Sequence, residues 1–229
     1  MNAKITTLAL LLAGTWCGFS QGFVNLDFES ATIQVDPSGG APWIVYANQA
    51  ISGWTAYIGG TPANDILYNA VPLSSPAISL LGTNYNILGH PLNLRIQGSY
   101  FVMLWGAFNH PTDGSGTAAI GQTGQIPVSA QSLVFWGTAG GLQVSLNSQP
   151  LDFLATGGTT NYTIYSADIS AYAGQTGQLL FSDPFYTGTQ GGPASIDNIQ
   201  FSSSPVPEPS ELALAALGTL LFGFRRWRI

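Results

Sequence analysis

Few side chains in this chain are equipped for chemistry, and their identities limit what it can do. Between residues 23 and 205, nine Asp or Glu side chains stand against Arg95 alone, a net charge of −8. Neutralising phosphates takes several Lys or Arg, so nucleic-acid binding is excluded. Hydrolysis by paired carboxylates needs an acid and a base flanking the scissile bond. Glu29 is the only glutamate before the C-terminal tail, and no aspartate pair is marked by its spacing. His90 and His110 each precede a proline, a turn-like setting without the i,i+4 helical spacing of zinc motifs. There is no Gly-x-Ser-x-Gly elbow and no phosphate loop ending in Gly-Lys-Ser/Thr. What remains is a protein without a visible catalytic constellation, suited to neutral glycans, cations, or no ligand.

Two features carry binding chemistry. Aromatic rings pack well on the C–H faces of sugars, yet most rings in a β protein belong to its core. Trp105 and Trp136 end apolar strands and are expected in the core, whereas Trp43 and Trp54 lie among Gly, Pro and Ser and are expected to be exposed sugar-stacking residues. The second feature is Asp197. In a regular strand it shares a face with Ile199 and Phe201, and an inward carboxylate needs a cation or hydrogen-bond donors to offset its burial. The alternative is a bulge at Asp197-Asn198, with the carboxylate capping backbone N–H groups.

These residues must be held by strands. The composition is 45% hydrophobic and 7% charged with 28 Gly and 14 Pro, too apolar for disorder and too turn-rich for helices. Period-two patterns run through Ser99–Trp105, Ser132–Trp136, Leu142–Leu146, Tyr162–Tyr165 and Gln178–Phe181, and Phe23–Phe28 is also strand-like. No amphipathic helix of ten residues interrupts them. The expectation is one all-β domain over residues 21–201, a β-sandwich of jelly-roll form, followed by a linker at 202–206. The pentapeptide Gly121–Gln125 recurs as Gly174–Gln178, too little to establish a repeat.

The two ends read as addresses. Residues 1–20 have the make-up of a signal peptide, with Lys4, the apolar Leu8–Ala13 and a small-x-small site at Gly18–Ser20. Cys17, the sole cysteine, lies within it, so the mature chain has no disulfide. The C-terminus carries Pro207-Glu208-Pro209, an apolar stretch at 212–224, and Arg225, Arg226 and Arg228. Those 13 apolar or small residues make a transmembrane helix of roughly 20 Å against a hydrocarbon core of about 30 Å, a marginal span. The arginines favour the cytoplasmic side.

Residues 207–229 resemble the PEP-CTERM family, in which these three elements form a sorting signal recognised by an exosortase. The resemblance implies export through the inner membrane, transient anchoring, cleavage of the tail and delivery to the cell surface or exterior. A permanent membrane anchor is the alternative. Asn25–Glu29, Tyr165–Gly174 and Ser195–Ile199 are also similar to the galactose-binding-like jelly rolls of carbohydrate-binding modules. That resemblance implies first and last strands lying close together, and a structural calcium ion held by Asp27 or Glu29 with Asp197.

The function expected from the sequence is therefore an exosortase-sorted surface or matrix protein whose non-catalytic β-sandwich is a structural or glycan-binding component of the extracellular polysaccharide matrix. A glycan-active hydrolase is the rival. Two facing carboxylates in a cleft would favour the hydrolase, and an exposed aromatic strip the binder.

Overall fold

Alternation along the chain becomes two stacked sheets in the computed structural model, which describes residues 22–72, 75–82, 85–87, 90–91, 96–107, 116–184 and 192–207. Residues 1–20, expected to be a signal peptide, the apolar stretch at 212–224, and Glu208, Pro209, Arg225, Arg226 and Arg228 lie outside these residues, as do Arg95, His110 and Asp113. Among the described residues no helix is long and apolar enough to cross a membrane.

In chain order the strands are β1 (Ile44–Tyr46), β2 (Thr55–Ile58), β3 (Thr61–Ala63), β4 (Asp65–Tyr68), β5 (Ala77–Gly82), β6 (Asn86–Ile87), β7 (His90–Pro91) and β8 (Tyr100–Trp105). There follow β9 (Ala118–Gln125), β10 (Ser132–Thr138), β11 (Gln143–Leu146), β12 (Gln149–Pro150), β13 (Phe153–Gly158), β14 (Thr163–Asp168), β15 (Thr176–Asp183) and β16 (Ala194–Ser202). The larger sheet runs β1-β4-β5-β8-β16-β10-β14-β13 and the smaller β12-β11-β15-β9-β2-β3, with β6-β7 a separate hairpin. All pairs are antiparallel except β4 with β5.

Period-two side chains from both sheets fill the space between them. Leu133 and Phe135 of β10, Val102 and Leu104 of β8, and Leu179 and Phe181 of β15 are all buried there. Phe135 is central: its ring lies 5.3 Å from Phe153, 5.2 Å from Tyr165 and 5.3 Å from Phe181. Trp105 and Trp136, expected in this core, instead pack half-buried on the outer face of the larger sheet, beside Leu81, Phe101 and Met103. Parity decides this, because the interior positions of β8 and β10 go to Leu104 and Phe135.

Residues 23–28 are not a strand. Asn25 and Phe28 take positive φ of 50° and 58°, which turns the fully buried Phe28 into the core. The side chain of buried Gln122 replaces a strand neighbour, its Oε1 accepting from Val24 N at 2.6 Å and its Nε2 donating to Val24 O at 3.0 Å. The repeated pentapeptides fall on adjacent antiparallel strands, where Gly124 pairs with Gly177 and Thr123 with Gln178.

Truncating Phe135 removes a ring that three other rings contact. Phe135→Ala is expected to lower unfolding free energy by about 3–5 kcal/mol, read by urea denaturation. A loss under 1 kcal/mol would mean that the centre of the core lies elsewhere.

Candidate functional site

The first and last segments do meet. Ile199 N donates to Leu26 O at 2.9 Å, which brings Asp27 and Glu29 close enough for their charges to act on Asp197. Asp197 has no solvent exposure. It lies opposite Trp136 on the outer face of the larger sheet, and the pairing of β10 with β16 shifts register between Val134 and Trp136. Asn198, at φ 47°, completes a bulge there. Gln97 N donates to Asp197 Oδ2 at 3.0 Å and Asn198 N donates to Oδ1 at 2.7 Å.

Glu29 does similar work on the same segment, its Oε1 accepting from Ser99 N at 2.7 Å and Tyr100 N at 2.9 Å. Gly98 between them has φ +57°, and a side chain there would collide with the Glu29 carboxylate. Two carboxylates thus fasten residues 97–100 to the sheet. Their near neighbours are N–H donors, which suit an anion and repel a cation, so the geometry matches the capping arrangement. No group of three or more His, Cys, Asp or Glu able to hold a metal is present among the described residues. Burial nevertheless dominates at Asp197: it pushes the carboxyl up to about 8 against the pull of both N–H donors, with Glu29 and Asp27 adding repulsion.

A second carboxylate pair was not legible in the sequence. Where β3 passes into β4 the chain crosses from the smaller sheet to the larger, and a cleft of about 540 Å³ opens at this edge. Cross-strand pairing sets Tyr46 opposite Asp65, and Asp36 joins them because its N–H donates to Ile44 O at 2.9 Å. Ser38 donates to Asp36 Oδ1 through both N and Oγ at 2.7 Å. These bonds hold Asp36 below the usual carboxylate range. Asp65 is raised, chiefly by burial and then by its hydrogen bond and repulsion with Asp36. The Tyr46 phenol is raised as well, by burial and by its hydrogen bond to Asp36. The two carboxyls are thus coupled, Asp36 held low and Asp65 held high. Asn48, Thr55 and Asn64 complete a polar rim.

Of the two tryptophans expected at the surface, Trp43 is 50% exposed and stands at the head of β1, outside the cleft lining. Trp54 is buried, at 4% exposure. It packs 5.7 Å from Phe28 and 6.2 Å from Phe181, and its indole N–H donates to Asn25 O at 3.0 Å. Its polar surroundings in sequence misled because the turn at residues 23–28 folds over it. Only part of the ring reaches the cleft.

No family model matches the chain, and no curated protein matches it. Among solved structures, it is similar to the enzymatically active domain of tailspike protein 4 from bacteriophage CBA120. The identity is 14% and the TM-score 0.33, over 65% of this chain and 19% of that one. Nothing about activity follows from so distant a likeness.

Stability should fall as pH rises. Asp197 holds its proton up to about pH 8 when folded, whereas an unfolded aspartate releases it near pH 3.9. Between these values the unfolded chain binds fewer protons, so each pH unit costs up to about 1.4 kcal/mol. Asp183, pushed up to about 6 by burial, adds to the slope at its lower end. Urea denaturation at pH 5 and pH 8 is expected to show the decline, with Asp197→Asn markedly flatter. Equal slopes in the two proteins would place the titration on another group.

Proposed function

We propose that the chain is an exported surface or matrix protein whose sandwich, of jelly-roll form, binds neutral polysaccharide without cleaving it, and that residues 207–229 direct its delivery through an exosortase. The observation that carries the binding role is the edge cleft. Carboxylate, phenol and amide groups from Asp36, Tyr46, Asn48, Asn64 and Asp65 converge there on space large enough for sugar hydroxyls. Carboxylate acceptors beside amide and phenol donors match the paired donor and acceptor groups of vicinal hydroxyls. Trp43, exposed at the head of the adjoining strand, supplies a ring face near this edge.

Contact between the carboxyls is also what favours binding over hydrolysis. A retaining glycosidase holds its carboxyls about 5 Å apart and an inverting one farther, so that the scissile bond or a water fits between them. Asp36 and Asp65 act directly on each other's titration, which supports a closer pairing than either class of hydrolase uses. Delivery rests on the tail's composition, with the short apolar stretch favouring a temporary anchor over a permanent one.

Purified full-length chain in mild detergent is expected to be retained by an array of neutral polysaccharides. Asn48→Ala and Asn64→Ala, each removing one exposed amide, are each expected to weaken binding about tenfold, the equivalent of roughly 1.4 kcal/mol. Retention that ignores both substitutions would move the site off the cleft, and release of reducing ends would restore the hydrolase. Separately, intact-mass measurement of protein recovered from outside the native host should show loss of the first 20 residues and of the tail beyond the Pro-Glu-Pro region. Surface protein that still ends at Ile229 would sink the sorting reading and establish the permanent anchor.

A further inference from the structure

The edge cleft has an apolar neighbour. Pairing of β1 with β4 sets Tyr46 opposite Asp65 and, two residues along each strand, Ile44 opposite Leu67. Residues two apart on a strand share a face, so the polar pair and the apolar pair lie side by side, about 7 Å apart. Tyr46 and Asp65 line the polar cleft. Ile44, Leu67 and Asp65 line a second recess of about 270 Å³, whose walls are completed by aliphatic side chains that include Ile58, Pro76 and Ala77. Asp65 stands in the wall of both spaces, so one bound molecule can reach from the carboxylate and amide groups onto the aliphatic surface.

The polar side offers what an amide needs from a partner. Asp36 is buried in the cleft wall, and the two bonds from Ser38 fall on its Oδ1 and hold it below the usual carboxylate range, so it remains an acceptor. The Tyr46 phenol is held above its usual range and remains a donor. Asn48 and Asn64 add amide donors along the same lining. A plain hexose would satisfy these groups but leave Ile44, Leu67 and Ala77 facing water. An amino sugar with a free amine would bring an ammonium against the aliphatic wall, where loss of its hydration is costly. An N-acyl group answers both sides, because its N–H donates, its carbonyl accepts and its methyl is apolar.

We propose that the polysaccharide bound at the edge cleft contains N-acetylated amino sugars, with the acetamido N–H and carbonyl held by the polar wall and the methyl seated in the recess between Ile44 and Leu67. The assignment rests on the polysaccharide reading of the cleft and narrows it to one class. An O-acetyl sugar fills the recess without supplying an N–H to the carboxylates. Uronic acids are disfavoured by the net charge of −8 between residues 23 and 205, whereas N-acetylated sugars carry no charge.

The test uses full-length chain in mild detergent and calorimetric titration with matched oligomers of N-acetylglucosamine, glucosamine and glucose, which differ only at C2, and with the corresponding galacto series. In at least one series the N-acetylated oligomer should bind about tenfold more tightly than the unsubstituted one, from one buried methyl and one hydrogen bond to a charged acceptor. Ala77→Leu, which fills the recess, and Ile44→Ser, which makes its wall polar, should each bring that ratio close to one, with folding checked by thermal melts. Should Ala77→Leu fail to fold, Ile44→Ser reads the same ratio, and the wild-type ratio stands without either. The proposal is overturned if the unsubstituted oligomers bind as well as the N-acetylated ones, if both variants keep the wild-type ratio, or if the free-amine oligomers bind most tightly and lose affinity with salt, which would make the cleft a reader of charge. In each of those cases, retention on neutral polysaccharides leaves the broader reading in place. Failure to bind any oligomer or any polymer of the array would remove that reading and the proposal together.

Discussion

With one basic side chain for nine acids between residues 23 and 205, this fold cannot stabilise its carboxylates by ion pairing and has to do so with backbone N–H groups. Ser38 N serves Asp36, Ser170 N serves Asp168, Glu29 N serves Asp27, and Gly106 N serves Asp183. The larger arrangement, Asp197 and Glu29 around residues 97–100, is the same solution applied over long sequence distance. Such bonds are stronger where the acceptor is charged, whereas at Asp197 burial outweighs both donors; each fixes a piece of otherwise irregular backbone. The supply is finite, however. Where it runs out, a carboxylate oxygen is left without a partner among the described residues: Asp65 at the edge cleft and Asp183 inside the sandwich.

The absence of lysine from the domain also shapes the sheet edges. Edge strands are commonly protected from pairing with other chains by outward lysines, and here other devices serve. Pro62 in β3 and Pro150 in β12 each withhold a backbone donor at the ends of the smaller sheet. On the larger sheet β13 is interrupted by a bulge between Ala155 and Gly157, and Val35 bridges Val45 beside β1.

What was legible in the sequence is what depends on neighbours two residues apart. The strands around residues 100–105, 132–138, 143–146, 163–168 and 176–183 follow from alternation alone, and the choice at Asp197 between cation and bulge was already posed by its parity with Ile199. Residues 23–28 alternate equally well but are turned by contacts with Gln122, 98 positions away in the sequence. Trp54 was misplaced for the same reason, since its covering comes from Asn25 and Phe28. The Asp36–Asp65 pair joins residues from a loop and a strand through the pairing of β1 with β4, and nothing local to either aspartate foretells it. Asp183 does continue the parity of Leu179 and Phe181, so its inward direction could have been read from the strand pattern.

Geometry relates these sites to the proposed tether. Phe23 packs 4.7 Å from Phe201, so the chain enters the fold beside the end of β16 from which it leaves toward the tail. From Ala194 to Ser202 that strand spans nine residues, about 27 Å at the usual rise. Its far end marks the level of Asp183 and the edge cleft. Ala194 pairs with Leu104, two residues before Gly106, whose N–H reaches Asp183. On the other side Leu67 pairs with Ser79, and Ala77 with Trp105, which sets Asp65 near the same end. A chain held by its C-terminus in the proposed way would hold the edge cleft away from the membrane, where an extended polysaccharide meets least obstruction.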